Sequence, residues 1–98
     1  MTRLTTTLTQ NKSNHRKNLV TFITAGDPDI ATSLALMHSL VAAGVDVIEL
    51  GVPFSDPMAD GPVIQLASER ALKNGVGMQE VFVLVRDFRR TDVSTPVV

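Results

Sequence analysis

The sequence predicts a parallel α/β fold built of βα units, and three observations carry that prediction. Short β-branched apolar runs alternate with helical apolar stripes, glycine or proline separates each pair, and the second run is apolar along nearly its whole length. The bulk numbers agree with an ordinary globular protein. Hydrophobic residues make up 44% of the 98 positions and charged residues 19%, with a net charge of -1, which fits one modest domain and excludes a disordered acidic or basic tail. No basic stripe interleaved with aromatics is present, and Trp and Tyr are absent, so a small metabolite is a better expected partner than nucleic acid. With no cysteine, disulfides and thiolate metal sites are excluded and no metal site is expected. A cytoplasmic location follows as the expectation.

Residues 1–18 are polar and rich in threonine, with Arg3, Lys12, Arg16 and Lys17 and no acid before Asp27. They lack the strong apolar face of a transit peptide and the apolar core of a secretory signal, so they read as a lead-in with room for a short helix. Apolar stretches elsewhere are interrupted well short of the roughly 20 residues that span a bilayer. Residues 19–98 hold the patterned domain. Leu19 to Ala25 forms the first strand, stopped by Gly26-Asp27-Pro28. Asp27 then stands where a helix N-cap belongs, with Pro28 as the first helical residue, and Ile30, Leu34, Met37 and Val41 form the stripe up to Gly44. Val45 to Leu50 is the second strand, and its composition fits a parallel strand covered on both faces.

Pro62 opens the next helix, which carries Val63, Leu66, Ala67 and Ala71 and closes at Asn74-Gly75. A further stripe of Met78, Val81, Phe82, Val85 and Phe88 has Arg86, Arg89 and Arg90 near its end, where cations suit the helix dipole. Thr95-Pro96-Val97-Val98 starts a third apolar run. A parallel sheet that stops there leaves backbone groups and an apolar face without partners, which predicts a piece of a larger fold. A closed barrel of eight such units takes about 250 residues. A small self-contained three-strand domain is the alternative.

The chemistry concentrates between Glu49 and Pro62. A carboxylate at the C-terminal end of a buried strand stands where parallel α/β enzymes keep reacting groups, and Glu49 occupies that place. A carboxyl taken out of water by apolar neighbours keeps its proton to higher pH, which suits a group that gives and takes protons near neutrality. A structural ion pair explains Glu49 equally well. Asp60, before Gly61-Pro62, reads locally as a helix cap or turn former, or as a second acid facing Glu49 across the loop. Asp56 is a turn residue, Asp46 marks the strand entrance, and His38 lies at the boundary of the first long helix. Gly75-Val76-Gly77 lacks the lysine and spacing of a nucleotide loop, so no phosphate role is expected there.

The segment Phe22-Ile23-Thr24-Ala25-Gly26-Asp27-Pro28 and the segment Glu49 through Pro62 resemble the signature segments of the tryptophan synthase alpha subunit family. The resemblance runs from about Leu19 to the end of the chain, includes the helix from Gln65 to Gly75, and is poor in the lead-in. It implies the first two to three strands of a (β/α)₈ TIM barrel, incomplete in this chain. It also implies cleavage of indole-3-glycerol phosphate to indole and glyceraldehyde 3-phosphate in tryptophan biosynthesis. Glu49 would then be the acid/base residue and Asp60 the acceptor of the ring N–H, both catalytic, while Phe22 and Ile64 would line the indole pocket; a packing role for those two fits the sequence equally well. The family needs no cofactor of its own. The implied partner is the beta subunit, which carries pyridoxal phosphate, in an alpha2-beta2 complex, with contacts near Pro53 to Asp60. Phosphate-binding groups would lie outside these residues, so the 98-residue chain alone is expected to be inactive. Another phosphate-sugar barrel enzyme and a non-catalytic interaction fragment are the competing readings.

Overall fold

The computed structural model describes residues 2–54 and 61–98. Its elements are α1 (Arg3–Ser13), β1 (Val20–Thr24), α2 (Ile30–Ala42), β2 (Val47–Gly51), α3 (Gly61–Lys73) and α4 (Met78–Arg89). The strands pair in parallel, with Val20 opposite Val47, Phe22 opposite Glu49 and Thr24 opposite Gly51. Val97 bridges to Ile48, and Ile48 N–H donates to Pro96 O at 3.0 Å while Val98 N–H donates to Ile48 O at 2.9 Å. The third apolar run therefore lies beside β2, giving the spatial order β1, β2, third run.

One face of this sheet carries the core. Ile48 is buried with Met37 of α2, Ala71 of α3, Val76, and Val81, Leu84 and Phe88 of α4, and Ile23 and Leu50 pack against that cluster. Because side chains alternate along a strand, Val20, Phe22 and Thr24 share the opposite face with their register partners. There Val20 is 48% exposed and Phe22 44% exposed, and Glu49 is exposed too. Val47 and Thr24 on the same face are buried, at 2% and 8% exposed, so β2 is covered on both faces at its start, as expected, and among the described residues that cover is missing at Glu49.

One correction concerns the start of α2. Asp29, not Asp27, is the N-cap: its Oδ1 accepts from Thr32 N–H at 2.7 Å, and the helix begins at Ile30 rather than Pro28. The Asp27 carboxylate is already engaged by Arg70, whose Nε and Nη2 donate to its two oxygens at 2.8 and 3.0 Å. A carboxylate held in that two-pronged pair is not free to turn back on its own helix.

The lead-in is tied down. Within it α1 has Thr2 as its cap, whose Oγ1 accepts from Thr5 N–H at 3.1 Å. Asn11 on its last turn is buried, and its Nδ2 donates to Asn18 at 2.7 Å and to Asp46 at 3.0 Å. Arg3 at the other end donates to Val93 O at 2.7 Å. Among the described residues no helix is long and apolar enough to cross a membrane.

Candidate active site

Glu49 is the middle one of the five residues of β2, two before its end at Gly51, so the strand carries its carboxylate toward the C-terminal rim of the sheet. Apolar neighbours on the other face do not enclose it, and the exclusion of water expected from the sequence is not found: the side chain is exposed. The cause is the alternation itself. Ile48 and Leu50 point into the helical layer, which turns Glu49 to the opposite face, open at that point.

Phe22 is its register partner on that face. The ring lies across the end of β2, since a Cβ placed on Gly51 would come within 2.5 Å of Phe22 Cζ. A glycine is needed at that approach. Phe22 also joins Ile64, Ala67 and Arg70 of α3, with Thr24 and Asp27, around a groove of about 260 Å³. Closed small-molecule sites run to roughly 300–1,000 Å³, so this groove has the size of part of a site. Phe22 and Ile64, two of the four sequence-predicted residues, thus share the groove, and Glu49 stands beside Phe22 in the strand register without lining it. Asp60, and with it Asp56, lies outside the described residues.

Two residues at this groove went unnoticed as a pair in the sequence. Asp27 reads locally as a cap, no motif singles out Arg70, and nothing in a local pattern links positions 43 apart. The hydrogen bonds from Arg70 to Asp27 raise the guanidinium above its already high value, outweighing the opposing effect of burial, so Arg70 is charged at every physiological pH. A second hollow, lined by Arg3, Arg89 and Val98, contains none of the predicted site residues. Among the described residues no three His, Cys, Asp or Glu side chains gather closely enough to hold a metal ion. His38 stacks on Phe88 with ring centroids 4.8 Å apart, a half-buried packing position on the far side of the sheet from Glu49.

The family model for the tryptophan synthase alpha chain matches residues 8–98. The chain belongs to the tryptophan synthase alpha chain family. A tryptophan synthase alpha chain from Nitrosomonas europaea is 60% identical over all 98 residues, which are 36% of its own length. One from Neisseria meningitidis serogroup B is 66% identical over 82 residues, covering 84% of this chain and 31% of the relative. The chain therefore spans about a third of the length of these curated relatives. The crystal structure of tryptophan synthase subunit alpha from Legionella pneumophila str. Paris superposes with a TM-score of 0.97 at 54% identity, over 99% of this chain and 37% of that one. An alpha chain solved in the a2b2 complex of Pyrococcus furiosus tryptophan synthase gives 0.75 at 48% identity, over 82% of this chain and 32% of that one. The fold is accordingly that of the N-terminal part of this family's TIM barrel. Similarity also reaches into the lead-in, where the sequence segments alone had suggested a poor match.

Proposed function

We propose that these residues supply one side of the active site of an enzyme that cleaves indole-3-glycerol phosphate to indole and glyceraldehyde 3-phosphate. Residues 1–18 serve as its lead-in and residues 19–98 as the first part of its barrel domain. The observation that supports this best is the placement of Glu49 toward the strand rim beside the exposed ring of Phe22, with Ile64 across the groove from that ring.

The chemistry asks little more of Glu49 than that position. Its protonated carboxyl gives a proton to the indole carbon bearing the side chain, which makes the ring an electron acceptor. The bond from that carbon to the glycerol chain breaks, its electron pair returns to the ring, and the hydroxyl proton shed as the aldehyde forms goes back to the Glu49 carboxylate. Asp60 accepts the ring N–H and offsets the positive charge that builds on the ring. Phe22 and Ile64 hold the flat ring between apolar walls. No cofactor enters these steps. The beta subunit, with its pyridoxal phosphate, is the partner we assign, docked near Pro53 to Asp60 in an alpha2-beta2 assembly of the kind solved for Pyrococcus furiosus. A soluble cytoplasmic enzyme is the corresponding location.

The test is made in a full-length chain, with Val98 joined to the matching remainder of the Nitrosomonas europaea relative. Glu49→Gln keeps the size and removes the proton, and it should lower indole release by roughly a hundredfold or more while the urea midpoint stays put. Turnover within a few-fold of the parent would sink the assignment of Glu49.

A further inference from the structure

We infer that Asp27 and Arg70 are a positioning pair, whose two-pronged ion pair sets where the N-terminal half of α3, and with it Ile64, stands against Phe22. The inference rests on the proposed function, because it assigns the pair a part in receiving the substrate's ring.

Packing alone anchors only half of α3. In its C-terminal half Ala67, Ser68 and Ala71 are buried, and Val76, just past its end, joins Ala71 in the core cluster. Toward its start the burial fades: Val63 is 78% exposed, Gly61, Pro62, Gln65 and Leu66 are exposed, and Ile64 is half-buried. Arg70 lies in the packed half, between the buried Ser68 and Ala71. Ile64, Ala67 and Arg70 follow one another at three-residue spacing, so they form one ridge along the helix and all three line the groove. A constraint placed on Arg70 therefore acts on the ridge that carries Ile64, roughly 9 Å away at 1.5 Å per residue.

The geometry of that constraint is directional. Two parallel bonds, at 2.8 and 3.0 Å, fix the plane of the guanidinium as well as its distance, which a single bond from a lysine would not. Asp27 sits on the corner leaving β1, the strand that carries Phe22, so the pair links the two walls of the groove directly. Asn74, one turn past Arg70, adds a bond from its Nδ2 to Pro28 O on the same corner. The Arg70 side chain is 56% exposed and that of Asp27 18%. Replacing Arg70 by lysine keeps the charge beside Asp27 and removes only the second prong, which separates a positioning role from a structural one.

The experiment compares parent, Arg70→Lys and Asp27→Asn in the same full-length chain, reading thermal midpoint, steady-state indole release and amide hydrogen exchange. Arg70→Lys keeps the charge and loses the fork. We expect kcat/KM for indole-3-glycerol phosphate to fall about tenfold, in line with the cost of small misplacements at a reacting centre, with the thermal midpoint within a few degrees of the parent. Amides of residues 65–67 should exchange about tenfold faster while those of α2 and α4 keep their rates. Unchanged kinetic constants in an active parent overturn the inference, and so does unchanged exchange in α3. If the parent itself releases no indole, the proposed function fails, and the exchange comparison alone then decides whether the pair holds the helix.

Discussion

Asp46 receives the backbone N–H of Leu19 at 2.9 Å, the Asn11 amide at 3.0 Å and the Arg16 guanidinium at 2.8 Å. One carboxylate thereby joins α1, the entry to β1 and the entry to β2. The Leu19 N–H holds its carboxyl below the ordinary value against the effect of burial, and Asn11 and Arg16 act in the same direction as Leu19. At Asp92 burial pushes the carboxyl up, yet the bonds from Thr95 and Ser94 and the charge of Arg89 bring it below its usual value. In both cases the folded value is lower than the unfolded one of about 3.9. The stabilisation is therefore fully present above about pH 4 and is lost as pH falls through the lowered values. Asp46→Ala in the full-length chain should cost about 2 kcal/mol at pH 7, the scale of charge-assisted bonds lost from a largely buried carboxylate. Urea midpoints at pH 7 and at a pH below about 4 should show that gap narrowing as the parent's own carboxylate takes up its proton. A gap of equal size at both pH values would mean that the bonds to Asp46 do not depend on its charge.

At the scale of elements, the corner between β1 and α2 meets the turn between α3 and α4. Gly26 has φ +86°, a Cβ placed on it would stand 2.5 Å from Val76 Cγ2, and its N–H donates to the buried Ser33 Oγ at 2.9 Å. Gly26→Ala combines a left-handed backbone with a contact that has no room. The expected loss is about 2–4 kcal/mol in urea unfolding, from backbone strain and overpacking together. Adding Val76→Ala should return part of it, because the contact component is shared between the two positions; strictly additive losses would mean that backbone strain accounts for the whole effect. The strands, the helical stripes and the glycine that marks this corner are legible in sequence because each depends on neighbours a few residues away. The partner of Gly26 is not, since Val76 arrives from 50 positions further along. The same reason hid Arg70 from Asp27 and shifted the α2 cap to Asp29. Glu49 shows the converse: its place toward the strand rim is a local property and could be read, whereas its exposure depends on what covers the second face of the sheet.

For the molecule as a whole, that second face is the controlling feature. The helices bury Ile48 and its neighbours, but on the other side Val20 and Phe22 stand open, and β1 has one edge with no strand beside it among the described residues. Exposed apolar side chains next to unpaired N–H and C=O groups form a template for another strand. In relatives nearly three times as long, further chain is available to occupy such positions, and the superposition on the Legionella pneumophila subunit accounts for 37% of that structure. The 98-residue chain by itself should therefore self-associate. Sedimentation velocity over a wide range of concentration should show its average mass rising with concentration, while the full-length chain joined at Val98 should show no such concentration-dependent rise. Indole release should separate the two in the same way, absent from the short chain and present in the long one, because Glu49 exposed to water and a groove of partial size do not hold a substrate in a reacting geometry. A short chain that stays monomeric at every concentration would show that Val20 and Phe22 are covered in solution from within these 98 residues. Turnover by the short chain would go further, placing a complete site on this one face of the sheet.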